Sequence, residues 1–145
     1  MKARDIYLPL VALALIVSGV YVYFFTGPYR FVDAPLAPES LQHLRSGAGS
    51  GAAWLASPSE TTLEYLNWWP QLDRPNLSRL DIATLYRSPE EAVVTIIDND
   101  TRDDSISRSC DRLTLRRQGG VWIPVRHQAA WQGRGRFGWT TQPTS

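Results

Sequence analysis

Hydrophobic and polar positions divide the chain into three stretches of different period. From Ile6 to Phe25 no Asp, Glu, Lys or Arg occurs. At about 1.5 Å per residue such a run covers roughly 30 Å, the hydrocarbon thickness of a bilayer, so the pattern predicts a transmembrane helix over 6–25. Pro9 falls in the first turns, where a missing N–H does least harm, and Tyr21, Tyr23, Tyr29 and Phe31 suit a headgroup region. A cleaved signal peptide is the alternative, with Val17-Ser18-Gly19 as the small-residue site. Cutting there would leave Val20–Phe25 as an exposed apolar end, which favours a retained anchor.

Past the span the pattern shortens. Thr26–Pro38 is a Pro-interrupted lead, Pro38–Arg45 reads as a short helix stopped by Gly47, and Gly47–Ala53 reads as a flexible joint. Thr61 and Glu64 at capping-box spacing, Leu63 and Leu66 on one face and Pro70 as a stop predict a second helix. It carries Trp68 and Trp69, both expected in the core. From Leu80 the period moves towards two. Leu80–Arg87 and Ala92–Asp98 form a predicted hairpin around Ser88-Pro89-Glu90-Glu91, although Leu77, Leu80 and Thr84 also fit helical spacing. A polar loop over 98–107 leads to strands Cys110–Arg117 and Val121–Ala129, joined at Gly119-Gly120.

The expected fold class is therefore α+β: one N-terminal transmembrane helix, then a small domain with one or two short helices and a mostly antiparallel sheet of about four strands. The divisions are a cytoplasmic N-terminus over 1–5, the span over 6–25, a lead and joint over 26–58 and an extracytoplasmic domain over 59–145.

The register of the last hairpin is the sharpest expectation. A two-residue Gly-Gly turn sets Leu113 against Arg126 and Leu115 against Pro124, mixing the faces. A three-residue turn, Gln118-Gly119-Gly120, sets Leu113 against Val125 and Leu115 against Ile123, making one apolar face. It also sets Arg112 against Arg126, Arg116 against Trp122, and Asp111 against His127. Like charges facing each other destabilise a strand pair, so this register calls for an anion nearby.

Charge distribution supplies two candidates. The chain carries 15 Lys and Arg against 14 Asp and Glu, for a net charge of +1. Residues 105–145 hold seven Arg against one acid, whereas 31–104 hold five Arg against twelve acids. The expected neutralisation is internal, by Asp98, Asp100, Asp103 and Asp104. The alternative is a binding surface of Arg112, Arg116, Trp122, Arg126, Arg134 and Arg136 for anionic glycan or lipid headgroups.

Specific chemistry is sparse. One Cys excludes an internal disulfide framework, and with two His leaves too few soft ligands for a structural zinc. Cys110 is expected to be a buried small hydrophobe. Asp98-Asn99-Asp100 opens like a calcium loop, but Arg102, Asp103 and Ser109 occupy the fifth, sixth and twelfth positions and exclude an EF-hand. Asp111 and His127 read as a structural hydrogen bond, since no nucleophile accompanies them, and His43 lies in its short helix without a partner. No catalytic, metal or cofactor site is expected.

The residues Asp103-Asp104-Ser105, Leu113-Thr114-Leu115-Arg116, Gly120 with Trp122, and Trp131 followed by Gly133-Arg134-Gly135 resemble small bacterial membrane-anchored proteins to which no activity is assigned. The overlap runs from about Asp103 to the end. That group usually has a cysteine soon after the Trp, another near the end, and often His where Arg136 stands; this chain has neither cysteine. The resemblance implies a periplasmic α+β domain with a curved, cystatin-like sheet.

Orientation follows from Lys2 and Arg4 before the span against Arg30 and Asp33 after it, which by the positive-inside rule keeps the N-terminus cytoplasmic. The expected protein is a single-pass component of a bacterial inner membrane. Its periplasmic domain engages a membrane or periplasmic protein and binds no nucleic acid.

Overall fold

The computed structural model describes residues 30–69, 79–99, 101, 104–135 and 138–143. The predicted span over 6–25 lies outside them, and among the described residues no helix is long and apolar enough to cross a membrane.

The fold is α+β. Strand β1 (Val32–Ala34) is followed by helix α1 (Pro38–Ser50), a 3₁₀ turn (Ala53–Ala56) and helix α2 (Pro58–Asn67). Four strands complete it: β2 (Leu80–Ser88), β3 (Glu91–Asp98), β4 (Ile106–Gln118) and β5 (Val121–Gly133). All pairings are antiparallel, in the order β1-β5-β4-β3-β2. Among the described residues the sheet thus has five strands where about four were expected. The additional one is cut from the Pro-interrupted lead, where three residues give too little alternation to read.

Helix α1 does not stop at Gly47. It begins with Pro38 at the first turn and runs to Ser50, where Gly51, at φ 70°, closes it in the left-handed conformation. Its buried positions Ser40, Leu44 and Gly47 form a stripe at helical spacing. Glycine suits that stripe because a Cβ at 47 would lie 2.5 Å from Cζ2 of Trp54. Helix and 3₁₀ turn therefore fill the segment expected to be a joint, and within the lead Val32–Ala34 pairs with the sheet as β1.

Helix α2 starts three residues before the expected cap. Ser57 is the N-cap, its Oγ accepting from the Glu60 N–H at 3.4 Å, and Pro58 opens the first turn. Thr61, the expected cap, is buried inside the helix and donates to the Trp54 carbonyl.

The helices cover one face of the sheet. Leu44, Leu55, Tyr65 and Leu66 pack against Ala92, Val94, Ile96, Leu113, Leu115 and Trp122. Each fully buried Leu contributes on the order of 2 kcal/mol. The Tyr65 hydroxyl accepts from the Ala37 N–H at 2.8 Å, tying α2 to the entry of α1. Burial pushes the Tyr65 phenol above its ordinary value.

Strands β4 and β5 meet through the two-residue turn. Gln118 pairs with Val121, and Gly119 and Gly120 have φ of 58° and 86°, the doubly left-handed conformation of a tight hairpin that glycine adopts without strain. The expected three-residue register is corrected by one position: Arg116 pairs with Ile123, Arg117 with Trp122, and Leu115 with Pro124. The mixing of faces is averted by a bulge, because Thr114 pairs with Arg126 and Leu113 with His127, leaving Val125 as the extra residue. Pro124 cannot donate to a ladder, and β1 pairs with β5 only at residues 127–129. The bulge thus adjoins a Pro on a stretch of β5 with a single partner.

Candidate functional site

Five of the six residues of the expected basic surface are described, and they do not share one face of the sheet. Arg112 pairs with Gln128 and Arg126 with Thr114, so the two arginines are not opposite each other and the predicted repulsion is absent from the ladder. Both stand on the sheet face away from the helices. The guanidinium of Arg112 lies 3.8 Å from the ring centroid of Phe31, with its Nε buried and making no hydrogen bond. Burial lowers its affinity for a proton below that of a free arginine.

Arg126 is held by Asp33 on β1 in a two-pronged pair, Nε donating at 2.8 Å and the second nitrogen at 3.0 Å. These hydrogen bonds keep the Asp33 carboxyl below the usual carboxylate range. Arg126 is therefore neutralised within the chain by a residue of the lead. Arg116 approaches Glu91 at 3.8 Å, and Glu91 also receives Arg87 at 3.3 Å.

Trp122 belongs to the core. The corrected register turns it inward, where it is 3% exposed and meets the Tyr86 ring edge-on at 6.0 Å. Arg134 reaches backbone carbonyls of Asp104 and Ile106 at the far end of the β4–β5 ladder. Arg136 lies outside the described residues, as do Asp100 and Asp103. The carboxyl of Asp98, one of the four acids expected to serve these arginines, is pushed up by burial, opposed by Arg79.

Asp111 and His127 come together, though not as cross-strand partners. His127 is 1% exposed, its Nε2 is 2.7 Å from the Asp111 carboxylate, and its Nδ1 is buried without a hydrogen bond. Trp69 and Tyr65 close over the imidazole edge-to-face at 4.2 and 5.9 Å. Cys110 sits on the other side of β4, fully buried, and burial raises its thiol to about 12. The pair is a largely buried hydrogen-bonded contact between β4 and β5. Among the described residues no three His, Cys, Asp or Glu side chains group to hold a metal.

An arrangement that sequence reasoning missed lies on the helix layer. His43, expected to be solitary, is stacked between Trp54 at 5.6 Å and Trp68 at 4.3 Å, with interplanar angles of 11° and 16°. Its Nε2 is 3.2 Å from the Glu64 carboxylate. Trp68 was expected in the core and is 52% exposed, while Trp69 beside it packs against the core. Adjacent residues at a helix end cannot share a face, so only one of the two can turn inward. The readable signal was Gly47, one turn after His43 on α1, which makes room for Trp54 beneath it. The result is a flat indole face, that of Trp68, presented to solvent and backed by two stacked rings, His43 and Trp54.

No known protein family, curated protein or solved structure matches this chain.

Proposed function

We propose that this chain is a single-pass membrane-anchored protein whose extracytoplasmic domain, periplasmic in a bacterium, is a protein-interaction module of the cell envelope. The anchor is supported by the charge-free run Ile6–Phe25, and the orientation by Lys2 and Arg4 on its N-terminal side. The observation that carries the interaction reading is Trp68. A large aromatic side chain, half exposed and held in one orientation by stacking on His43, has little rotamer freedom left to lose on docking. Exposed tryptophans of this kind anchor protein interfaces.

Binding of anionic glycan or lipid has less support. Arg126 and Arg116 face carboxylates of the same chain, Arg112 lies beneath Phe31, and Trp122 is buried. No enzyme activity is proposed for the Asp111–His127 pair.

The test is affinity purification of the full chain from membranes in mild detergent, beside Trp68→Ala and Arg116→Ala. A defined co-purifying protein that is lost with Trp68→Ala and kept with Arg116→Ala supports the reading. Solitary migration of the wild-type chain would sink it. A reporter active only outside the cytoplasm, fused after Ser145, tests the orientation, and a well-expressed but inactive fusion would reverse it.

A further inference from the structure

Strand β2 forms one edge of the sheet and is exposed on both faces for most of its nine residues. Among the described residues no strand lies on its outer side. Leu85, Tyr86 and Ile82 are 63%, 59% and 42% exposed, an uncommon load of large apolar groups on an unpaired edge. The opposite edge, β1, has three residues. Natural sheets usually protect a long edge with charges placed to repel a second strand, and β2 carries two charges, Asp81 and Arg87.

Those two charges are placed symmetrically about Thr84. When the sequence Leu80-Asp81-Ile82-Ala83-Thr84-Leu85-Tyr86-Arg87-Ser88 is laid antiparallel on itself with Thr84 opposite Thr84, Asp81 falls opposite Arg87 of the second copy, twice. The same register sets Ile82 opposite Tyr86 and Ala83 opposite Leu85. Directly opposite residues share a face in an antiparallel pair, so both charge pairs lie on the helix-free side and both Ile–Tyr pairs on the helix side. Sliding the copies by two residues sets Asp81 against Leu85, and parallel alignment sets like charges together. One register alone cancels both charges and pairs β-branched with aromatic side chains.

We propose that β2 is a homodimerisation edge, at which two copies of this chain pair antiparallel about a two-fold axis through Thr84, joining two five-stranded sheets into one of ten strands. The β2–β3 ladder is regular from Leu80 to Tyr86, and its one irregularity falls at Arg87, which has no partner on β3; its guanidinium nonetheless stays on the helix-free side, where it shares Glu91 with Arg116. Arg87 at present reaches Glu91 at 3.3 Å, and the Asp81 carboxylate accepts from the Asn99 amide at 2.6 Å. Both contacts are exposed, and the long Arg87 side chain can turn from one carboxylate to the other at little cost. The association is isologous and closes at two copies, since each β2 edge is consumed by the other. The inference stands on β2 alone and holds whether or not the chain is anchored in a membrane.

Charge exchange tests it. The mass of the full chain in detergent is measured across a concentration series for wild type, Asp81→Arg, Arg87→Asp and the double exchange Asp81→Arg with Arg87→Asp. All substituted positions are exposed, so the variants keep the monomer fold. Wild type is expected to be dimeric, and each single reversal to weaken association about tenfold or more because two like-charge pairs arise per dimer. The double exchange restores it. A second arm uses Thr84→Cys: Cα atoms facing across an antiparallel pair are roughly 4.5–5.5 Å apart, within disulfide reach, so mild oxidation should link two copies in high yield. Wild type, whose Cys110 is buried, serves as the control and should not cross-link. A wild-type chain that is monomeric throughout, a dimer indifferent to both single reversals, or a Thr84→Cys variant that does not cross-link would each overturn the proposal. A monomer that gains a strand only from a foreign extended peptide would overturn it as well.

Discussion

The Asp111 carboxylate meets Nε2 of His127 at 2.7 Å, although Asp111 pairs across the ladder with Ala129 and His127 pairs with Leu113. The contact is diagonal, reached because the bulge at Val125 restores the side chains beyond it to the helix-covered face. It supplies the imidazole with its one hydrogen bond in a site closed by Tyr65 and Trp69. Asp111→Ala would leave both ring nitrogens buried and unpaired, and is expected to cost roughly 1–3 kcal/mol. Asp111→Asn keeps a polar partner and should recover part of that. Urea unfolding of the three proteins measures it, and equal midpoints for wild type and Asp111→Ala would remove the structural role assigned here.

Gly47 and Gly49 lie two residues apart on α1 and predict opposite signs. Alanine favours a helix over glycine by about 1 kcal/mol. At Gly49 nothing stands within 4 Å of the added methyl, so Gly49→Ala should stabilise by up to that amount. At Gly47 the methyl meets Trp54 at 2.5 Å, and displacing an indole stacked on His43 should cost about 1–3 kcal/mol, outweighing the gain. Thermal melts of the two single variants decide the matter. Stabilisation by Gly47→Ala would mean that the Trp54–His43–Trp68 stack yields easily, and with it the rigidity argued for Trp68.

Cys110 is expected to resist alkylation in the folded protein and to react on unfolding, since burial raises its thiol from 9.0 to about 12. The linked effect on stability has a definite sign. Below pH 9.0 the thiol is protonated in both states and makes no difference. Above it the unfolded chain ionises first, so stability declines as pH rises from about 9.0 towards about 12. Tyr65, raised by its own burial, acts in the same direction. Cys110→Ala should show a shallower alkaline decline in denaturant midpoint, and an identical decline would assign it to other groups.

Asp33 works at the other end of the scale. Its carboxyl is held below the ordinary value of 3.8 by Arg126, so its contribution is present above that value and is lost as pH falls through the lower folded value. Because both partners are exposed, salt should weaken the pair at neutral pH. Asp33→Asn is expected to differ from wild type in melting temperature at neutral pH and low salt, with the difference vanishing in strong acid. A constant difference at every pH would mean that the substitution acts through something other than charge.

Much of this architecture was legible along the chain. The β-branched run Val93–Ile97, the Pro89-Glu90 turn and the paired glycines at 119 and 120 locate β3 and both hairpins within a few residues. Less readable features share a physical cause: tertiary contacts overrode a local signal. Gly47 reads as a stop until Trp54 is known to need its space. Trp68 and Trp69 are chemically alike, and only the end of α2 decides which turns outward. The hairpin register failed because a regular ladder was assumed, although Pro124 marks the place where a ladder is weakest. Strand β1 could not be read from three residues, because what makes it a strand is Ala129, Gln128 and His127 at the other end of the chain.

That last pairing sets a timetable for folding. Asp33 and its partner Arg126 are 93 positions apart, so a chain made from its N-terminus has synthesised β1, both helices and three further strands before β1 finds a neighbour. Closing so long a loop comes late and slowly. Until then the helix layer has only the inner strands to lie on, and the three-residue strand waits in solvent. A stalled or truncated chain ending before β5 would still carry the fully exposed β2 edge while lacking the strand that completes the core, which makes incomplete synthesis the moment at which this molecule is most prone to pair with the wrong partner.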